Sequence, residues 1–203
     1  MLREAEITLQ FLFALSGMKR IPRSGWLSHE ISLPDVESVA EHTFSTCTLA
    51  MMLADLETRR QAQVDVERVV RMALLHDLAE SLTFDISQAY LSHMGGRGEE
   101  IKREVEDKAW SHLLRELGDS ELARNYSSLQ NEYIRAITKE SKIVHAADSL
   151  DMLLQVLDYV RRGYPRRLLT ELWEERRRMV SRSGVPSAKR VLGLIALEYE
   201  KLR

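Results

Sequence analysis

The sequence contains few residues of the kinds that form disulfides and tight turns. Its 203 residues include one cysteine, four prolines and nine glycines. A single cysteine, Cys47, excludes an internal disulfide and fits a reducing compartment. Scarce proline and glycine favour helices. No run approaches the about 20 apolar residues that a membrane-spanning helix needs, so we expect no membrane partner.

The charge is nearly balanced, with 29 basic and 31 acidic side chains and a net charge of −2. No broad positive field therefore attracts nucleic acid. The basic segments RRGYPRR and ERRRMVSR alternate with Glu171, Glu174 and Glu175, which favours a solvated, ion-paired helix face over a nucleic-acid site. The N-terminal segment MLREAEITLQFLF mixes charged with apolar residues, unlike a secretory signal. We expect a cytoplasmic protein.

Apolar residues recur at steps of three and four along most of the chain, which predicts an all-α fold of seven to eight helices in a single domain spanning 1–203. Ser38 and Glu41 form a capping-box pattern, and Asp65 can cap the next helix. The predicted helices cover residues 4–18, 38–56, 65–81, 99–117, 122–138, 139–162, 165–180 and 186–202.

His76, Asp77 and Glu80 stand together in the apolar segment ALLHDLAESL. On a continuous helix, His76 and Glu80 would share a face. The pattern alone is weak, because a hydrogen-bonded core histidine beside two solvated acids gives the same letters. The context must therefore decide between a structural and a functional interpretation.

His42 and Asp148 are also polar residues within apolar helical segments. Aspartate is almost never fully buried unless it is paired or binds a metal. With His76 and Asp77 they form a set of two imidazoles and two carboxylates from three predicted helices. Such a set suits manganese, cobalt, nickel, iron or zinc rather than calcium.

Two carboxylates near this set remain outside it, namely Glu80 and Asp85. A bound divalent ion lowers the pKa of its water to about 7. Activated water beside spare carboxylates indicates hydrolytic chemistry.

The order of His42, His76–Asp77 and Asp148 resembles the signature of the HD-domain metal-dependent phosphohydrolases. The segments FLFALSGMKRIPRSGW, ESVAEHTF, ALLHDLAESLTFDI and SKIVHAADSLDML are similar to the 5′-deoxynucleotidase branch, over about residues 5–160. This resemblance implies an HD-type helical bundle, with helices in 165–203 packed on the motif core. It also implies hydrolysis of nucleoside 5′-monophosphates, especially 2′-deoxyribonucleotides, to nucleoside and phosphate.

The resemblance assigns roles to particular residues. It implies that one divalent metal ion (cobalt, manganese, or another transition metal such as nickel, iron or zinc, with magnesium less favoured) is bound by His42, His76, Asp77 and Asp148. It implies that Glu80 is the catalytic carboxylate that acts on the attacking water. It further implies a homodimer.

The implied substrate contacts lie in two loops. Asp85 and the backbone of Ile86 are expected beside metal and substrate, with Asp85 counted among the catalytic residues. Arg23 and Trp26 match the residues that recognise the nucleotide. The alternatives are a solvated charge for Arg23 and a loop anchor for Trp26.

The chain departs from the family pattern near these positions. Phe84 stands where many members have glycine, and Ser87 stands where they have proline. Glycine permits backbone angles that phenylalanine resists, so the loop and its base selectivity are in question. Arg23 and Trp26 are separated by two residues, whereas shorter bacterial members have them adjacent.

Two other functions stay open. A dinuclear phosphodiesterase would need further histidine ligands, and His93 and His112 fall in the right interval, although we interpret both as surface or structural residues. A nucleotide sensor would bind its nucleotide without hydrolysing it, which Glu80 argues against.

Two further residues have structural and functional interpretations. His145 is either a residue that orients Asp148 or an ordinary helix histidine. Cys47 is interpreted as a buried apolar residue rather than a nucleophile.

Overall fold

The structure, a computed structural model, describes residues 2–118 and 120–202, apart from the side chains of 2–8, 10, 88, 89 and 92. It confirms the all-α prediction. Within the described residues, eight helices have at least seven residues, as the sequence predicts. The helices are α1 Leu2–Gly17, α2 Ser24–Ser28, α3 Val39–Arg59, α4 Val66–Leu75, α5 Glu80–Thr83, α6 Gln88–His93, α7 Gly98–Glu116, α8 Glu121–Arg135, α9 Lys139–Arg161, α10 Thr170–Arg182 and α11 Pro186–Lys201.

Both predicted helix caps are present. The backbone N–H of Ser38 donates to Glu41 Oε2 at 2.7 Å, and the Glu41 N–H donates to Ser38 Oγ at 3.2 Å. This reciprocal pair starts α3. Asp65 Oδ1 accepts a 3.0 Å bond from the Arg68 N–H and starts α4. Caps are predictable because they depend on residues three apart in the chain.

The helix predicted over 65–81 is interrupted. α4 ends at Leu75, and residues 76–79 form tighter turns with three-residue hydrogen bonds before α5 begins at Glu80. The N–H groups of Leu78 and Glu80 donate to carbonyls three residues earlier, each at 3.0 Å. Such a tightened turn needs neither glycine nor proline, so its sequence carries no break signal. His76 therefore lies in the turn and Glu80 begins α5, so the prediction of one continuous helix through both residues is wrong.

Two short helices lie where the sequence predicted loops, namely α2 and α6. α6 places His93 at a helix end rather than in a loop. The start of α7 passes close to α6, because a Cβ at Gly98 would collide with the backbone carbonyl of Leu91. Glycine at this position permits the close approach of the two segments.

One compact unit comprises Met1–Thr43 and Leu75–Gln130. Its core brings the chain after α1 together with the tightened turn and α7. The buried apolar members are Met18, Ile21, Val39, Leu78, Ala79, Ala109, Trp110 and Leu113. This core holds the start of α3 and the turn with His76 and Asp77 in fixed positions.

The other compact unit comprises Phe44–Leu74 and Asn131–Arg203. Buried residues of α9, among them Leu150, Leu153 and Val156, are fully enclosed. As predicted, Trp173 is buried, and its ring stacks on Tyr199 with centroids 3.7 Å apart. The Arg166 guanidinium lies 3.9 Å from the centroid of the Tyr199 ring.

Among the residues that the structure describes, none of the helices combines the length and apolar character that crossing a bilayer requires. The expectation of a single domain over 1–203 stays a prediction.

Candidate functional site

His42, His76 and Asp77 converge within the first unit. His42 Nε2 lies 3.5 Å from Asp77 Oδ2, and His76 Nε2 lies 3.2 Å from the same oxygen. The two imidazole rings have centroids 5.5 Å apart. Both histidines are buried, and the capping box of α3 fixes His42 in its first turn. Three of the four predicted metal ligands therefore meet at one point.

The spacing of these atoms fits a transition-metal ion. Two donor atoms that both lie about 2.1 Å from one ion, at an angle between about 90° and 109°, are about 3.0–3.4 Å apart. The 3.2 Å distance from His76 falls within this range, and the 3.5 Å distance from His42 lies just above it. Two imidazole nitrogens and a carboxylate oxygen are also the donor types that such ions prefer.

Arg23 links Asp77 to two further carboxylates. Its Nη1 lies 2.9 Å from Asp77 Oδ2, 3.2 Å from Glu80 Oε2 and 3.8 Å from Asp85 Oδ1. Arg23 immediately precedes α2, and its N–H donates to the Glu37 carbonyl at 2.9 Å. The structure thus brings three acidic residues singled out in the sequence around one nitrogen of Arg23, which the sequence also singled out.

The surroundings shift the pKa values of two of these acids in opposite directions. Burial opposes ionisation of Asp77, but the charges of His76 and Arg23, with His42 beside them, hold its pKa well below the ordinary range. Burial and the charges of Asp77 and Asp85 raise the pKa of Glu80 well above its ordinary value of 4.5, against the influence of Arg23. Two carboxyl groups whose pKa values are shifted apart in this way suit different tasks, Asp77 as a permanent anion and Glu80 as a base.

α7 contributes a Lys–Glu pair that the sequence analysis missed. Lys102 Nζ lies 3.6 Å from Glu106 Oε1. Burial raises the pKa of Glu106, with Lys102 opposing and Asp77 adding to the shift, and the Lys102 charge also acts on Glu80. An i,i+4 spacing on an amphipathic helix is visible in the sequence, but it does not say what the pair faces.

Phe84 has a backbone conformation that phenylalanine rarely adopts. Its φ of 57° and ψ of 163° lie in a region used essentially by glycine, at a cost of about 1–3 kcal/mol. The carbonyl of the next residue, Asp85, accepts a 2.5 Å bond from Ser24 Oγ. Ser87, the second departure from the family pattern, is buried, and Ile86 is half-buried.

Trp26 is buried, with 1% of its surface exposed. Its Nε1–H donates to Glu37 Oε1 at 2.8 Å. In this conformation the indole packs α2 in place, which matches the loop-anchor alternative. Contact between Trp26 and a nucleotide stays a prediction.

Asp148 belongs to the second unit, on α9. Its half-buried carboxylate lies 3.7 Å from Arg176 Nη1. Its assignment as the fourth ligand stays a prediction. His145, one turn earlier, stacks on Tyr133 at 4.2 Å, and its Nε2 lies 2.9 Å from the Tyr133 carbonyl oxygen. These contacts describe a packed helix histidine.

The remaining candidates have surroundings typical of structural or surface residues. His93 and His112 are both exposed, and His112 Nε2 lies 3.9 Å from Glu116 Oε1. Burial raises the pKa of the Cys47 thiol, which disfavours the thiolate that a nucleophile needs. In the basic segments, Arg177 pairs with Glu174 at 3.3 Å, as an ion-paired face predicts.

Comparisons with known proteins agree on one family. Residues 15–184 match the family model described as HD domain. A protein of Xenopus laevis named 5′-deoxynucleotidase HDDC2 is 33% identical over 151 residues, which cover 74% of this chain and 68% of that protein. Its namesake in Danio rerio is 32% identical over 197 residues, which cover 96% and 88%.

A solved structure shares the fold. A conserved hypothetical protein from Pyrococcus furiosus superposes with a TM-score of 0.75 at 27% identity, covering 95% of this chain and 99% of that chain.

Proposed function

This chain belongs to the HD-domain phosphohydrolases, and from that membership we propose that it hydrolyses nucleoside 5′-monophosphates to nucleoside and phosphate, with a preference for 2′-deoxyribonucleotides. The observation that carries the proposal is the single cluster in which Arg23 joins Asp77, Glu80 and Asp85. Relatives named 5′-deoxynucleotidase support the choice of substrate.

His42, His76 and Asp77, with Asp148 as the proposed fourth ligand, would hold one divalent ion. The donor set favours cobalt or manganese, or another transition metal, over magnesium, which prefers oxygen ligands. When bound, such an ion neutralises phosphate charge and makes its water acidic. The low pKa of Asp77 keeps this ligand anionic at neutral pH.

The other residues act on water and substrate. Glu80 orients the attacking water and accepts its proton as the water oxygen bonds to phosphorus. The bond from phosphorus to the 5′ oxygen breaks, that oxygen takes a proton from solvent water, and Glu80 releases its proton to solvent, so that the products are the nucleoside and inorganic phosphate. A carboxyl with a raised pKa is a stronger base, and the pKa of Glu80 is raised. Arg23 contacts the phosphate oxygens of the nucleotide. Asp85 and the backbone of Ile86 lie beside the bound nucleotide and the metal site.

A substrate panel tests the proposal. Chelator-treated protein is supplied with cobalt, manganese or magnesium, and phosphate release is measured from ribo- and 2′-deoxyribonucleoside 5′-monophosphates and from a cyclic dinucleotide. We expect release from the deoxy monoesters above the ribo monoesters, with cobalt or manganese above magnesium. Nucleotide binding without release would indicate a sensor, and cleavage of the diester would indicate a dinuclear phosphodiesterase. Either result contradicts the proposal.

The proposal includes a homodimer, which rests on the family resemblance alone. Sedimentation equilibrium of the full chain measures it directly. A mass of one chain across the micromolar range would contradict it.

A further inference from the structure

Phe84 has a strained backbone conformation and an exposed side chain. Its φ is 57°, in the left-handed region that side chains rarely adopt, and 66% of its surface is exposed. Burial therefore does not offset the unfavourable backbone conformation, since most of the ring contacts solvent. A residue held in such a conformation marks a candidate for function, because the strain persists only where the surrounding structure imposes it.

The backbone after Phe84 is tied to the candidate site, and the residue before it is bonded to the turn that precedes α5. Before it, Thr83 Oγ1 donates to the Ala79 carbonyl at 3.3 Å. After it, the Asp85 carbonyl accepts the 2.5 Å bond from Ser24 Oγ, and Asp85 Oδ1 lies 3.8 Å from Arg23 Nη1. Phe84 is therefore the immediate chain neighbour of Asp85, whose carboxylate belongs to the candidate site.

A nucleotide whose phosphate contacts Arg23 carries its base one sugar away, where a flat apolar surface would bind it. The indole of Trp26 is enclosed and does not offer that surface. In the stretch 80–95, the exposed aromatic side chains that the structure describes are Phe84 and Tyr90. Phe84 is the one adjacent to Asp85, whereas Tyr90 lies on α6.

We propose that the Phe84 ring stacks on the base of the substrate and sets how strongly the enzyme prefers a nucleotide over a sugar phosphate without a base. This inference rests on the proposed function and names one of its specificity residues. Stacking tolerates any base, because every base has a π face. A tight purine-or-pyrimidine choice therefore does not follow from this contact.

The test compares two substrates that share a phosphate and a sugar. One is a 2′-deoxyribonucleoside 5′-monophosphate, and the other is methyl 2-deoxyriboside 5-phosphate, in which a methoxy group replaces the base. The readout is the ratio of their kcat/KM values in the wild type, Phe84→Ala, Phe84→Trp and the control Phe13→Ala. Phe13 has a similar exposure, 65%, and lies on α1 rather than in the segment that carries Asp85.

We expect Phe84→Ala to lower the ratio about tenfold, mainly through KM for the nucleotide, by the usual strength of base stacking. Phe84→Trp retains the ratio, and Phe13→Ala leaves it as in the wild type. An equal change on both substrates in Phe84→Ala, or no change, would overturn the inference. If the wild type hydrolyses neither substrate, the proposed function fails first, and that outcome is distinct from an unchanged ratio in an active enzyme.

Phe84→Gly gives a second, independent readout. Glycine adopts this backbone conformation without strain, so the variant should have a higher Tm than Phe84→Ala and a similarly low ratio. A Tm of Phe84→Gly no higher than that of Phe84→Ala would overturn the premise of strain. A higher Tm with an unchanged ratio would overturn the role in stacking.

Discussion

Arg23 donates a 2.9 Å hydrogen bond from Nη1 to Asp77 Oδ2. The same nitrogen reaches Glu80, so one guanidinium connects the segment before α2 to a proposed metal ligand and to the proposed base. Arg23 and Asp77 are 54 positions apart in the sequence. Their pairing places a positive group directly beside the position proposed for the phosphate.

Arg23→Lys keeps the positive charge but loses the planar guanidinium that donates two parallel hydrogen bonds to phosphate oxygens. We expect KM for the nucleotide and the inhibition constant of inorganic phosphate to rise about tenfold or more, since hydrogen bonds to charged groups contribute about 1.5–3 kcal/mol. The exposed Arg20→Lys serves as the control. Unchanged constants for Arg23→Lys would remove Arg23 from the phosphate site.

Glu80→Gln and Glu80→Ala should bind metal as the wild type does but lower kcat by roughly 10²-fold or more, because the carboxylate that acts on water is lost. Metal content after equilibrium dialysis and steady-state phosphate release measure the two effects separately. Glu104→Gln, at an exposed position on α7, is the matched control. Full activity in either Glu80 variant would show that this role is wrong.

Glu57 supports the fold rather than the chemistry. It is buried, and its Oε1 accepts a 2.7 Å bond from the Ser187 N–H at the start of α11. Glu57→Ala leaves that N–H unsatisfied, so the free energy of unfolding should fall by about 1–3 kcal/mol in urea titrations. Glu198→Ala, at a half-exposed position on α11 with only surface ion pairs, should change it by less than about 0.5 kcal/mol. Equal losses would contradict this account.

The stability of the folded protein should depend on pH through the Cys47 thiol. Burial raises the pKa of this thiol above the ordinary 9.0. The folded state therefore favours the neutral thiol, and this contribution to stability is lost as pH rises from the unfolded pKa through the folded one. Alkylation by iodoacetamide should begin at higher pH in the native protein than in the urea-unfolded chain. Identical pH profiles would contradict the raised pKa.

The sequence predicted those features that depend on nearby residues. Ser38 with Glu41, and Asp65 with Arg68, are caps within one helical turn, and both form as expected. The tightened turn between α4 and α5 was missed, because its three-residue hydrogen bonds require no special residue. Local patterns therefore fix where helices start better than where they change pitch.

The site was predictable in its residue types but not in its connections. Polar residues in apolar segments pointed to His42 and His76, since burial of such groups needs a partner. The sequence did not reveal that Arg23 joins three carboxylates or that the charge of Lys102 acts on the pKa of Glu80. These contacts depend on the packing of distant segments, which helix periodicity does not encode.

Titration of metal against activity tests the central claim most directly. Chelated protein receives manganese in steps while phosphate release from a 2′-deoxyribonucleoside 5′-monophosphate is followed, with Asp77→Ala and Asp148→Ala beside the control His112→Ala. We predict that wild type and His112→Ala rise to a plateau at one ion per chain, and that Asp77→Ala and Asp148→Ala fail to reach it. Full activity of the chelated protein, or a plateau at two ions, would contradict the account.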